Sequence, residues 1–220
     1  VFEWIISKAS LEKIGNPADG EYAGSSQTVT LANWNKNALN VSAIKGTTFG
    51  GADISVSAAN ENKITLVHAG TYTFTVEITD KHNYEWADNT TADISVEYVM
   101  RRATLSVNWG ETSFKYDGSA KAPSPEVNGG TIEDTDGISY SGHTEIYTDE
   151  SLTDKISSAT AAGKYYFKIT GFDGRAIEGQ KFTTAHDYVL PDEVSVIFVI
   201  DSAELSAPSL YVSGGDGVKL

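Results

Sequence analysis

The 220-residue chain contains no cysteine, a single methionine and only five prolines. The absence of cysteine excludes a disulfide-stapled scaffold and thiolate metal ligands. It also separates the chain from secreted animal immunoglobulin domains, which usually carry a disulfide in the core. A chain without cysteine is compatible with the cytosol and equally with a bacterial surface protein.

Basic residues are scarce, since 16 Lys and Arg stand against 30 Asp and Glu, giving a formal net charge of −14 and a pI near 4.6. A surface this acidic repels phosphate backbones, so we expect no nucleic-acid partner. The sequence also has no apolar run long enough to predict a membrane span, and no signal peptide.

Long apolar stripes with helical spacing are missing as well, whereas Tyr, Thr, Val, Ile and Gly are plentiful. Strict alternation of apolar and polar residues predicts strands instead. In "TYTFTVEI" it places Tyr72, Phe74, Val76 and Ile78 on one face. We therefore expect an all-β chain.

The strongest pattern is an internal repeat with a period near 95 residues. Ala9-x-Leu11 and Tyr22-x-Gly24 return 94 residues later, and Ala69-Gly70 returns 93 residues later. The pair His82-x-Tyr84 returns as His186-x-Tyr188, 104 residues later. The second copy thus carries roughly eleven extra residues, which we place in the segment 171–182, "GFDGRAIEGQKF".

These offsets predict four segments. Residues 1–8 are expected to be the last strand of a preceding module, and residues 203–220 the start of a following module or a tail. Between them lie two complete modules, 9–102 and 103–202. Units of this length with short strands and Gly-rich turns predict two tandem immunoglobulin-like β-sandwich modules arranged end to end. Almost no linker separates them, so we expect a semi-rigid rod.

The segments "KYDGSAKAPSPEV", "AGKYYFKIT", "DY" and "SAEL", with their counterparts in the first copy, resemble the MBG/YDG type of bacterial immunoglobulin-like repeat. The resemblance covers both modules. It implies tandem modules in a large secreted or cell-wall-attached bacterial protein, often an adhesin, and an extracellular location. It implies no catalytic residues.

Two groups of residues are candidates for ligand binding. The inserted loop 171–182 contains Phe172, Arg175 and Phe182, which are anchor-type residues in a position where sandwich loops often bind partners. Trp34 lies among asparagines, a setting that suits stacking on a sugar and equally suits a core tryptophan beside a loop.

Acidic turns are candidates for Ca²⁺, which prefers several oxygen ligands from one loop. They contribute Asp134 and Asp136 in "EDTDG", and Asp149 and Asp154 in "TDESLTD". Neither completes an EF-hand pattern, and the alternative is a pair of solvated turns.

No catalytic constellation appears, because the four histidines lack zinc-site spacing and no nucleophile motif is complete. We therefore predict a non-enzymatic stalk or spacer whose partners are the neighbouring repeats of the same chain. The alternative is an adhesin module that binds a host glycan or matrix protein through the inserted loop.

Overall fold

The computed structural model describes residues 2–56, 59–128 and 136–204. Strands dominate these residues, and no α-helix occurs in them. No helix in this described part is long and apolar enough to cross a membrane.

Each module is built from a series of short strands. The first module contains β1 (Ala9–Leu11), β2 (Gly20–Glu21), β3 (Gln27–Thr30), β4 (Leu39–Thr47), β5 (Asp53–Ile54), β6 (Lys63–Leu66), β7 (Gly70–Ile78), β8 (Tyr84–Trp86) and β9 (Ile94–Arg101). The second contains β10 (Ala103–Thr104), β11 (Ser106–Asn108), β12 (Ser113–Lys115), β13 (Glu126–Asn128), β14 (Thr144–Tyr147), β15 (Lys155–Ile156), β16 (Gly163–Ile169), β17 (Tyr188–Val189) and β18 (Ser195–Asp201).

The main sheets of the two modules have the same strand order, whereas β3-β6 and β11-β13 join different parts of their modules. The main sheet has the order β2-β9-β7-β4-β5 in the first module and β12-β18-β16-β14-β15 in the second. Two smaller pairings complete each module: β1-β8 and β3-β6 in the first, β10-β17 and β11-β13 in the second. In both, the entering strand pairs in parallel with the strand of the His-x-Tyr landmark, as Ala9 with Tyr84 and Ala103 with Tyr188.

The central strand β7 shows why this sequence forms a sandwich. Its apolar positions alternate with threonines, and Tyr72, Phe74 and Val76 are fully buried. They belong to one core together with Ile64 and Leu66 of the β3-β6 sheet. Apolar side chains from two sheets therefore share one interior, which confirms the predicted all-β sandwich architecture.

The core does not stop at the boundary between the modules. Leu105, Ile169 and Tyr188 of the second module belong to the same packed cluster as the core of the first. A separate cluster around Phe167 and Phe198 fills the far end of the second module.

Residues 2–8 differ from the sequence prediction, because they form no strand in this chain. Phe2, Trp4, Ile5 and Ile6 are almost fully exposed. A strand requires a neighbour for its backbone hydrogen bonds, and the described residues provide none for this segment. Residues 2–8 therefore form no strand here, and their assignment to a preceding module stays a prediction.

Candidate functional site

The inserted loop of the second module lies against the first module. Gln180 Oε1 accepts a hydrogen bond of 3.3 Å from the backbone N–H of Ser55. The ring of Phe182 meets the imidazole of His68 edge-to-face, with centroids 5.3 Å apart. Phe172 and Phe182 are half-buried and pack against the shared core. The extra residues thus extend the contact between modules.

Arg175, the third predicted anchor in this loop, is exposed. Its backbone N–H donates to the Asp136 carbonyl at 2.9 Å and approaches Thr184 Oγ1 at 2.8 Å. Its backbone therefore joins the base of the loop to Asp136 and to Thr184, which precedes Tyr188.

A buried carboxylate forms the centre of the junction. Asp187, the last residue of a short 3₁₀ helix (Thr184–Asp187), is completely buried. Its Oδ1 accepts from the backbone N–H of Ala69 at 2.6 Å, and its Oδ2 lies 2.8 Å from His68 Nδ1. A carboxylate can only accept, so Nδ1 of His68 donates. Both partners belong to the first module, and together they offset the desolvation of the acid.

His186 bonds the same residue of the first module, Ala69. Its Nε2 lies 2.9 Å from the carbonyl oxygen of Ala69, which it must donate to. Its ring stacks on Phe49 at 6.2 Å, and the guanidinium of Arg102 lies 5.1 Å from the centre of the Phe49 ring. Partial burial lowers the pKa of His186 below its ordinary value. Both backbone polar groups of Ala69 are therefore bonded by consecutive residues of the second module.

Two tyrosines of the repeat meet beside this pair. The rings of Tyr22 and Tyr188 cross edge-to-face with centroids 5.4 Å apart. The hydroxyl of Tyr188 donates to Asp136 Oδ2 at 2.5 Å. Desolvation, followed by this hydrogen bond, raises the pKa of Tyr188 strongly. The phenol therefore remains neutral and acts as a donor inside the junction.

Three of the predicted calcium ligands, Asp136, Asp149 and Asp154, lie in the described residues and are not grouped as a cation site there. Asp134 lies outside the described residues. Asp136 is buried, and its carboxylate accepts from Tyr188. Asp149 accepts from donors of its own turn, including the N–H of Asp154 at 2.6 Å, and these bonds lower its pKa. In the described ranges no three acidic or histidine side chains are grouped so that they could hold a metal ion.

Trp34 is half-buried and packs against the core of the first module. Its indole Nε1 is buried and has no hydrogen-bond partner among the described residues. This position fits the core alternative for Trp34 better than an exposed stacking surface.

An open groove of about 660 Å³ runs along the junction. Its walls include Arg102, Phe172, Phe182, His186 and Leu190. Two of the predicted binding residues, Phe172 and Phe182, thus line the groove, whereas Trp34 does not.

Sequence reasoning identified Ala69, His186 and Tyr188 as landmarks of the repeat but did not predict that they meet. It did not single out Asp187 at all, although the first copy has Asn83 at that position. Two differences between the copies could have pointed to Asp187. The first copy has "HNY" where the second has "HDY", and His68 of the first copy corresponds to Ala161 of the second.

No family model and no curated protein matches the chain. Among solved structures, the three N-terminal domains of the bacteriophage RB49 highly immunogenic outer capsid protein (Hoc) are similar at 18% identity, with a TM-score of 0.28. The match covers 83% of this chain, which spans 56% of that one.

Proposed function

We propose that the chain is a non-catalytic, semi-rigid spacer in a bacterial cell-surface or secreted protein that acts in adhesion. Its resemblance to the MBG/YDG repeat supports this assignment, and so does the absence of a catalytic motif from the sequence. The partners of each module are then the neighbouring repeats of the same chain. The mechanism is geometric, because each module holds the next at a fixed angle and projects a distal domain.

The observation that carries the proposal is the pair of hydrogen bonds that the second module makes to the backbone of Ala69. Asp187 and His186 bond its N–H and carbonyl, at 2.6 and 2.9 Å. Separating the modules would exchange these bonds for bonds to water, so each contributes about 0.5–1.5 kcal/mol net, or about 1.5–3 kcal/mol where one partner is charged. A swivelling junction would have to break both bonds together with the Tyr22–Tyr188 contact.

The connection between modules also restricts motion. Strand β9 ends at Arg101 and β10 begins at Ala103, so a single residue separates them. Flexible linkers gain their freedom from length, and one residue provides almost none.

Distance measurements between spin labels test this proposal. Because the chain has no cysteine, labels can be attached at Lys45→Cys in the first module and Glu150→Cys in the second, both exposed positions. We expect one narrow distance distribution, which Tyr22→Ala broadens and Tyr116→Ala, the matched variant in the second module, leaves narrow. A broad distribution in the parent chain would refute the spacer mechanism.

A second candidate is binding of a host glycan or matrix protein in the junction groove. It is favoured by the two phenylalanines and Arg102, which place aromatic surface and a cation along one open cleft. A glycan and matrix-protein array, run with Ca²⁺ and then with chelator, tests it. A signal lost in Phe172→Ala and retained in Arg175→Ala would support the groove. A signal lost only with chelator would favour the acidic turns, and a blank array with folded protein would favour the spacer.

A further inference from the structure

The surface of the first module that receives the second has a counterpart at the far end of the second module. It consists of Tyr22 and Ala69, with Ala103, the entering residue of the second module, beside them. The repeat places Tyr116, Ala162 and Ala203 at the same positions. We call the second set, with Gly118 and Ala161, the C-terminal cradle.

The backbone geometry of the two surfaces is the same. The N–H of Tyr22 donates to the Arg101 carbonyl at 2.8 Å, and the N–H of Tyr116 donates to the Asp201 carbonyl at 2.9 Å. Gly24 and Gly118, two residues further on, adopt positive φ values of 78° and 82°. The cradle is therefore already formed.

A tyrosine bond supports the floor of each surface in the same way. Tyr165 OH donates to the Ala161 carbonyl at 2.9 Å, and Tyr72 OH donates to the His68 carbonyl. The loop that bears Ala162 is thus held by the same kind of tyrosine bond as the loop that bears Ala69.

The two surfaces differ in what covers them. Tyr22 is 5% exposed because the second module lies on it, and Ala103, the entering residue of that module, is 2% exposed. Tyr116 is 43% exposed, and Ala162 and Ala203 are exposed as well. Together with Ser202 and Thr160 they line a shallow cleft of about 570 Å³.

We propose that the C-terminal cradle is the docking site for a further module of the same repeat. That module would dock over Tyr116 with its Asx-Tyr corner, the pair equivalent to Asn83-Tyr84 and Asp187-Tyr188. This inference rests on the proposed spacer function and names its partner. The sequence that leaves the cradle, Ala203-Glu204-Leu205, repeats the Ala-x-Leu landmark that begins each module.

Strand pairing explains how such a module would reach the cradle. In both modules the entering alanine pairs in parallel with the corner tyrosine, Ala9 with Tyr84 and Ala103 with Tyr188. A module entered through Ala203 would therefore bring its own tyrosine beside Tyr116, as Ala103 brings Tyr188 beside Tyr22.

The chemistry of the cradle also selects the corner. At the occupied junction His68 balances the buried carboxylate of Asp187, but the cradle has Ala161 in that place. A carboxylate buried there would lack the imidazole N–H donor, whereas a neutral amide would not need one. The corner of the first module is Asn83-Tyr84, and Asn83 Nδ2 already donates to Asp80 at 2.7 Å, which leaves its Oδ1 as an acceptor. An asparagine corner is the fitting occupant.

A tandem protein tests the proposal. Residues 1–202 are joined to residues 9–204 of a second copy, so that Ala9 takes the place of Ala203 and an Asn83-Tyr84 corner faces the cradle. Amide hydrogen exchange at Ala162 is compared between the tandem and the 220-residue chain, with Ala69 as the protected reference. We expect exchange at Ala162 to slow by about tenfold or more in the tandem.

Variants make the result specific. In the tandem, Tyr116→Ala in the first copy or Asn83→Ala in the second should remove the protection at Ala162, and Tyr116→Phe should keep most of it. In the 220-residue chain Tyr116→Ala should leave exchange at Ala162 unchanged. Fast exchange at Ala162 with Ala69 still protected would overturn the docking proposal alone. Fast exchange at both alanines would overturn the spacer proposal as well.

Discussion

Asp187 and Ala69, which are 118 residues apart in sequence, are joined by a 2.6 Å hydrogen bond from the backbone N–H of Ala69 to the buried carboxylate. The next residue back, His186, bonds the carbonyl of the same alanine. The second module thereby bonds both the N–H and the carbonyl of Ala69 in the first module. The contact between modules thus contains a hydrogen-bond network of the kind found inside a domain.

Removing the imidazole of His68 should destabilise the chain strongly. The side chain of Asp187 is 0% exposed, and that of His68 is 12% exposed. His68→Ala would leave a buried carboxylate without its side-chain partner, which typically costs about 3–5 kcal/mol in the free energy of unfolding. Urea denaturation measures the loss. Adding Asp187→Asn to this variant should recover part of it, and a purely additive double-mutant cycle would contradict the coupling.

An exposed ion pair of the same chain provides the control. Lys81 and Asp93 lie 3.1 Å apart with side chains nearly half exposed. Lys81→Ala should change the free energy of unfolding by less than about 1 kcal/mol, as for other surface pairs.

The two repeat tyrosines should respond differently to the same truncation. Tyr22→Ala removes a ring buried between modules and should cost about 3–5 kcal/mol. Tyr116→Ala removes its half-exposed counterpart and should cost less than about 1 kcal/mol. Equal losses of unfolding free energy in denaturation experiments would show that the contact of Tyr22 with the second module does not stabilise the chain.

The same pair shows what the sequence could and could not predict. Alternation in β7 was enough to place Tyr72, Phe74 and Val76 in the core, because the period of a strand is fixed by its backbone. The repeat likewise marked Tyr22 and Tyr116 as equivalent. Their environments nevertheless differ, since one is covered by a neighbouring module and the other is not, and sequence similarity within a module carries no information about that neighbour.

The environment of the loop 171–182 likewise depends on the neighbouring module, which the sequence of the loop does not encode. The sequence singles out Phe172, Arg175 and Phe182 as anchors for a ligand, and that role stays a prediction. In the structure Phe182 contacts His68 of the first module. The contact of Gln180 with Ser55 spans 125 residues and depends on the angle between modules. Asp136 shows a further limit, because an acidic turn in sequence became a buried acceptor for Tyr188.

Gly174 should be intolerant of a side chain. A Cβ at this position would lie 2.2 Å from the backbone nitrogen of Ala185 and 2.6 Å from Thr184 Oγ1. Both atoms belong to the 3₁₀ helix that presents His186 and Asp187 to the first module. Gly174→Ala should therefore displace that helix, cost about 1–3 kcal/mol, and broaden the distance distribution between the spin labels.

Gly15→Ala is the matched control, because a Cβ there meets nothing within 4 Å. It should leave both stability and the distance distribution unchanged. If Gly174→Ala behaved like Gly15→Ala, the tight packing of the loop under the helix would be refuted.

The stability of the chain should fall as the pH drops below about 6.5, the ordinary pKa of histidine. Burial lowers the pKa of His186, while the Asp187 carboxylate opposes this shift and Arg102 and His68 reinforce it. Below about pH 6.5 the unfolded chain therefore binds a proton at this residue more readily than the folded chain does, so acidification favours unfolding. Free energies of unfolding at pH 7.5, 6.5 and 5.5 measure the slope.

His186→Gln isolates the contribution of this residue, because glutamine can still donate an N–H to the Ala69 carbonyl but does not titrate. Above pH 7 the variant should retain most of the parent stability, and the difference between the two proteins should shrink as the pH falls. A difference that stays constant from pH 7.5 to 5.5 would mean that His186 takes up its proton as easily in the junction as in the unfolded chain, contrary to its burial against the first module.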